Sequence, residues 1–170
     1  MASPSPATAA LLDRLVAYDS VVEVGIGTRV AVAGALAARG TDVTATDIHS
    51  REVPRGVRFV RDDVFDPDLA VYRGTETIYA LNCPPELHRP IREIARAVDA
   101  LFQFTTLGTD PPAIPAAPET LPGDTLYQAT ERDSPGSARS SIRRSRRTAA
   151  GGGGDDDSDG DGSGDDGGRR

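Results

Sequence analysis

A chain of 170 residues, 38% of them hydrophobic and with a net charge of −7, leaves about 125 residues for one core once its low-complexity tail is set aside. No apolar run approaches the roughly 18–20 residues that cross a bilayer. The start of the chain also lacks the basic and apolar segments of a secretory signal, so the expectation is a soluble, cytoplasmic protein without a membrane partner. The one cysteine, Cys83, excludes an internal disulfide and leaves too few thiolates for a structural zinc cluster.

In chain order, residues 1–7 read as a flexible N-terminus and 8–130 as the folded domain. From Ala7 to Asp19, Leu11, Leu12, Leu15 and Val16 share one helical face, with Asp13 and Arg14 off it. Val21 to Val24 is a short apolar run of the kind buried on both faces of a parallel sheet, and it ends at Gly25. An Ala-rich helix follows over Arg29 to Arg39, stopped by Gly40. Val43 to Thr46 is the second strand and ends at Asp47. Val57 to Arg61 is the third, ending at Asp62 and Asp63, and Pro67 to Tyr72 forms a short crossover.

The fourth strand, Thr77 to Leu81, ends at Asn82. Pro84 and Pro85 suit the first turn of a helix that places Leu87, Ile91, Ile94, Ala95 and Val98 on one face, with Pro90 expected to kink it. Leu101 to Leu107 is the fifth strand. Five prolines between 111 and 122 exclude a continuous helix or a central strand there. Leu121 to Asp124 signals a turn, and Thr125 to Ala129 one further edge strand. Alternating strands and helices predict an α/β Rossmann-like three-layer sandwich on a mostly parallel sheet of five to six strands.

Residues 131–170 read as a disordered tail, with five Arg between 139 and 147 and then a Gly/Asp-rich segment. The Arg run is a candidate contact for a polyanion. It has no aromatic neighbours and is followed by competing Asp residues, which favours a self-neutralising tail and argues against nucleic acid as a partner. All nineteen basic residues are Arg, and Asp outnumbers Glu. This composition resembles that of salt-adapted archaeal proteins, although a G- and C-rich genome produces the same Arg bias.

The most informative stretch is Val22-Glu23-Val24-Gly25-Ile26-Gly27-Thr28-Arg29, where a strand hands over to a helix. Glycines there let the backbone approach a ligand closely. Twenty positions after Gly27, Asp47 stands where an acid accepts the two hydroxyls of a ribose. The partner this predicts is a small nucleotide-type cofactor. A dinucleotide fingerprint wants a third glycine where Val30 stands, which argues against NAD and an oxidoreductase. A bare tight turn with a solvated Asp47 is the plainer alternative.

With Glu23 two residues before Gly25, Asp47 after the second strand and Asp62-Asp63 after the third, the pattern resembles S-adenosylmethionine-dependent methyltransferases. The resemblance implies that Glu23, Gly25 and Gly27 lie at the methionine end of S-adenosylmethionine, Asp47 at its ribose, and Asp62 or Asp63 at its adenine. A capped turn before Pro67 would equally explain the last two. Asn82-Cys83-Pro84-Pro85 loosely resembles the Asn-Pro-Pro motif of amino-methyltransferases, with Cys83 intervening. Asn82 is thus a candidate for orienting a substrate, and His49 one for a general base. Asp47, His49, Cys83 and His88 lack metal-ligand spacing, and no metal site is expected.

Together with Val-Thr-Ala-Thr-Asp-Ile-His at 43–49, Val-Arg-Phe-Val-Arg-Asp-Asp-Val-Phe at 57–65, Pro-Pro-Glu-Leu-His at 84–88 and Glu-Thr-Leu-Pro-Gly-Asp-Thr-Leu-Tyr at 119–127, these motifs resemble a small archaeal family of uncharacterised proteins, number 0146 in that series. The resemblance implies a methyltransferase-like fold and a haloarchaeal source, and brings no reaction with it. The expected function is a minimal S-adenosylmethionine-binding, methyltransferase-like domain, with the sequence leaving open whether it transfers a methyl group. A non-catalytic nucleotide-binding or interaction module is the alternative from another class, because five or six strands fall short of a full methyltransferase core.

Overall fold

A computed structural model of the chain describes residues 3–131, which lie within one compact unit. The predicted tail lies outside the described residues, apart from Glu131. In chain order the elements are α1 (Pro6–Leu15), β1 (Ser20–Val24), α2 (Ala31–Ala38), β2 (Asp42–Asp47), β3 (Val57–Arg61), a 3-10 turn at Leu69–Val71, β4 (Thr77–Ala80), α3 (Pro85–Ala97), β5 (Leu101–Phe104), β6 (Ala116–Leu121) and β7 (Asp124–Ala129).

They build a seven-stranded sheet in the order β3-β2-β1-β4-β5-β7-β6. The first five positions are parallel neighbours, and β7 runs antiparallel to both β5 and β6. Helices α1 and α2 cover one face, packing Leu11, Leu12, Leu15, Val32, Ala33 and Leu36 onto Val21, Val43 and Tyr79. Helix α3 covers the other, with Ile91, Ile94 and Ala95 against Val22, Ile78, Phe102 and Phe104. The predicted α/β three-layer architecture is present, with one strand more than the five to six expected.

That extra strand is β6. Prolines at 115 and 118 hide it in the sequence, and its place at the sheet edge is what lets Pro118 stand without a donor N–H. The segment 125–129, predicted as an edge strand, becomes interior because β6 pairs on its outer side. The turn between them is carried by Gly123, at φ +78°.

Helix α1 begins at Pro6, earlier than the predicted domain start at residue 8. Ser5 caps it, its side chain accepting from Thr8 N–H, and Pro6 sits in the first turn. Gly40, at φ +89°, ends α2: its N–H donates to Ala37 O and Thr41 N–H to Leu36 O, the paired bonds of a Schellman motif. Helix α3 runs unbroken through Pro90. It buries His88, which its apolar spacing did not mark.

Among the described residues, the final ties to the fold are at Thr130, whose N–H donates to Pro115 O and whose carbonyl accepts from Arg92 at 2.7 Å. A chain ending at Glu131 is expected to melt within about 2 °C of the full-length protein in calorimetry. A larger drop would place part of the domain beyond that point. No helix among the described residues is long and apolar enough to cross a membrane.

Candidate functional site

The strand order reverses between β1 and β4, so the chains leaving their carboxyl ends diverge and open a crevice. The glycine turn forms one wall. Gly25 and Gly27 take φ of +69° and +56°, a region that costs any residue with a Cβ. Gly25 N–H and Ile26 N–H both donate to Thr46 O, at 2.8 and 3.1 Å, while buried Ile26 anchors the turn in the core.

Asp47 ends the adjacent strand, in register one step beyond the Val24–Thr46 pair. The structure therefore brings Gly25, Gly27 and Asp47 together at neighbouring carboxyl ends of parallel strands. Gly27 N–H donates to Asp47 Oδ2 at 2.9 Å and His49 N–H to Oδ1 at 2.9 Å, and Arg51 Nε lies 3.3 Å from Oδ2. Burial pushes the Asp47 pKa up, but the two backbone donors and Arg51 outweigh it and hold the carboxyl below its ordinary value. The group is an anion at neutral pH.

Glu23 lies on the α1–α2 side of β1, 2% exposed, and accepts a hydrogen bond from Tyr79 OH at 2.7 Å. Burial drives its pKa up to about 8, against the smaller opposing pull of Tyr79. Glu23 is thus a neutral acid at pH 7, lying in the core and absent from the cleft lining. Tyr79 is pushed well above the usual phenol range by burial and by Glu23.

Asp62 and Asp63 follow β3 beside Asp47, with Asp62 N–H donating to Asp47 O. Asp62 accepts from Tyr72 OH at 2.6 Å and from Asp68 N–H at 2.9 Å, and Asp63 accepts from Phe65 N–H. Both carboxylates organise their own loop. Tyr72→Phe, which deletes one of these bonds from a buried ring, is expected to cost about 1–2 kcal/mol in urea denaturation.

Asn82, just after β4, takes φ +50°, and its N–H donates to Thr105 Oγ1 at 2.8 Å, tying the β4 and β5 ends together. Cys83 is buried, and burial, followed by Glu86, raises its thiol to about 12, which removes it as a nucleophile near neutral pH. His88 is fully buried against Phe104. Its Nδ1 accepts from Ala113 N–H at 3.0 Å, which puts the proton on Nε2, 3.0 Å from Cys83 O. Both ring nitrogens therefore serve the backbone. His49 is exposed, and its main-chain N–H is the part engaged with Asp47. Among the described residues no group of three or more His, Cys, Asp or Glu is placed to hold a metal ion.

A cleft of about 430 Å³ opens past the glycine turn, between the start of α1, the entry to α2 and the β6–β7 turn. Its polar lining comes from Thr8, Thr28, Arg29, Asn82, Thr105 and Asp124. Helix α1 is tied to β6 by the Arg14–Glu119 ion pair. Reasoning from sequence missed Thr8, Asp124 and Arg51, and also Ile48 and Phe65, which are 53% and 65% exposed on the loops leaving β2 and β3. Only the apolar character of the last two, in otherwise polar connections, offered a signal.

This architecture recurs in solved methyltransferases. An RNA methyltransferase from Salinibacter ruber, solved in complex with S-adenosyl-L-homocysteine, matches with TM-score 0.51 and 17% identity, over 80% of this chain and 98% of that one. A TehB-like S-adenosylmethionine-dependent methyltransferase from Corynebacterium glutamicum matches with TM-score 0.53 and 13% identity, over 74% of this chain and 87% of that one. At such identities the likeness is one of fold.

Sequence relatives are archaeal. A UPF0146 protein of Halobacterium salinarum is 51% identical over 118 residues, covering 69% of this chain and 92% of its own, and its source agrees with the salt-adapted composition. One from Archaeoglobus fulgidus is 52% identical over 80 residues, covering 47% of this chain and 62% of its own. The family model described as an uncharacterised protein family matches residues 7–122, and with these relatives it establishes that the chain belongs to the family UPF0146.

Proposed function

We propose that the domain binds an adenosyl ligand of the S-adenosylmethionine class, with Asp47 and the glycine turn at the ribose and the adjoining cleft at the methionine end. The observation that carries this reading is how the turn spends its N–H groups. Those of Gly25, Ile26 and Gly27 all donate within the protein. A pyrophosphate needs converging free donors, and three are already committed. An adenosyl ligand has no phosphate and asks only for close backbone approach and an acid for its diol. NAD and NADP are disfavoured on the same ground.

The surroundings fit such a ligand. A Cβ added at Gly25 would meet nothing within 4 Å, so the space beside the turn is open. Exposed Ile48 and Phe65 offer apolar surface on the loops leaving β2 and β3, suited to an adenine. Asp62 keeps acceptor capacity beyond its two bonds for an exocyclic amine.

S-adenosylmethionine, when bound, supplies a methyl group on an electrophilic sulfonium. This chain's contribution would be orientation. Asn82 and Thr105 at the strand ends would align an acceptor in the cleft, where positioning can carry most of a transfer's rate enhancement. Of the polar lining residues only Asp124 carries a carboxyl group.

One observation favours the second reading, a binding module without catalysis. Residues 48–56 and 105–115 join β2 to β3 and β5 to β6 without a helix, so neither connection adds a helical cover to the site. Calorimetric titration with S-adenosylmethionine, S-adenosylhomocysteine, NAD and NADP in molar potassium chloride tests the proposal. Saturable heat with the adenosyl compounds alone is the expected result, and binding of NAD alone would overturn it. Transfer of a labelled methyl group to cell-extract RNA, protein or small molecules then separates enzyme from module.

A further inference from the structure

The Asp47 carboxylate is already crowded. An ionised carboxylate offers about four acceptor positions, two on each oxygen. Gly27 N–H takes one on Oδ2 and His49 N–H takes one on Oδ1. A vicinal diol gripped by both hydroxyls needs the remaining two. Arg51, 3.3 Å from Oδ2, stands over one of them.

The three partners differ in how readily they leave. The Gly27 and His49 donors belong to the backbone of the turn and of the β2 exit, and losing them means reorganising the main chain. Arg51 lies on the β2–β3 loop with its side chain 30% exposed, and its Nε is buried with no hydrogen-bond acceptor. Its 3.3 Å contact with Asp47 is the one of the three made by a loop side chain, and it can be given up without moving the main chain. Arg61, another cation at this end of the sheet, is no substitute, because its Nε donates to Ile48 O at 2.8 Å.

The geometry points to Arg51 as a built-in competitor for the ligand's diol: it covers Asp47 in the free protein and must swing aside when an adenosyl ligand binds. Affinity then rises with ionic strength, because counter-ions stabilise the separated charges. The site is held back in dilute salt and released in concentrated salt. This inference rests on the adenosyl-binding reading above.

Calorimetric titration of S-adenosylhomocysteine and of adenosine into the full-length wild type and Arg51→Gln, at about 0.1 M and about 2 M potassium chloride, tests it. The wild type is expected to bind on the order of threefold to tenfold more tightly in the higher salt. Arg51→Gln is expected to show that gain already in the lower salt and to lose most of the salt dependence. Any general salting-out of adenine acts on both proteins alike, so the difference between them isolates the ion pair. With 2′-deoxyadenosine, which asks one position less of Asp47, the advantage of Arg51→Gln should shrink.

Weaker binding by Arg51→Gln, in a protein with an unchanged melting temperature, would make Arg51 a ligand contact and overturn the inference alone. Equal affinities of the two proteins at both salt concentrations would do the same. No heat from either protein under any condition would instead overturn the adenosyl reading, and the inference with it.

Discussion

Raising the pH from about 5 to about 9 is expected to lower the melting temperature of the wild-type protein steadily, and Glu23→Gln is expected to remove most of that fall. The cause is the buried carboxyl beside Tyr79. Its pKa rises on folding from an ordinary 4.5 to about 8, so between those values the native state holds a proton that the unfolded chain has released. A group with a raised folded pKa contributes its full stability below the unfolded value and loses it as the pH climbs through the folded one. Each pKa unit is worth about 1.4 kcal/mol, so the loss is on the order of several kcal/mol, a large part of a domain's 5–15.

Asp47 acts in the opposite sense and in a separate window. Its depressed pKa removes stability only as the pH falls below the ordinary carboxylate value of 3.8. Gln at position 23 keeps an acceptor for the Tyr79 hydroxyl and stays neutral throughout. Tyr79→Phe serves as a second variant: it deletes the bond that pulls the Glu23 pKa down, and should move the midpoint of the pH effect upward. Thermal melts across the pH series check both. A wild-type curve that is flat between about pH 5 and pH 8, or a Glu23→Gln curve as steep as the wild type, would show that the carboxyl is ionised where it lies.

The second large effect is expected at Asp47. Replacing it with Ala should abolish measurable binding of S-adenosylhomocysteine, since each hydrogen bond to a charged acceptor is worth about 1.5–3 kcal/mol and two hydroxyls lose theirs. The same change leaves Gly27 and His49 N–H without their acceptor, at a further cost to stability of about 1–3 kcal/mol. Asp47→Asn separates the two effects. Its amide oxygen still accepts from one of these donors, so the turn survives, while the charge and one acceptor oxygen are gone. We expect Asn to weaken binding at least about tenfold with a smaller fall in melting temperature than Asp47→Ala, since one of the two backbone donors keeps its acceptor. Folded Asp47 variants that bind as tightly as wild type would remove this carboxylate from the site.

Most of the sheet was legible from local chemistry. Val57–Arg61 was read with its observed bounds, and the strand, glycine turn, helix, strand and acid from Val21 to Asp47 lie in the predicted order. Each of these signals sits within a few residues of the feature it marks: an apolar run, a glycine at positive φ, a helix stop at Gly40. The β6 strand was not legible, because Pro115 and Pro118 look like loop until β7 supplies a ladder for the residues between and after them. The ring of His88 was likewise invisible, since its partners Cys83 O and Ala113 N–H come from two other segments.

What the amino-acid sequence determined alone was therefore the alternation of elements and the pairing of a glycine turn with an acid at the end of the next strand, both written in short-range periodicity and turn chemistry. Only the tertiary structure decided what those residues are electrically. Glu23 becomes a neutral core acid because the packed core buries it, against the pull of the hydrogen bond from Tyr79, 56 positions away, and a strand buried on both faces does not announce which way its side chains point. Asp47 stays an anion, already committed to Gly27, His49 and Arg51, because the folded β1 and β2 ends hold backbone donors and a cation around it. Protonation and occupancy depend on neighbours brought together from distant parts of the chain, and no local pattern carries them.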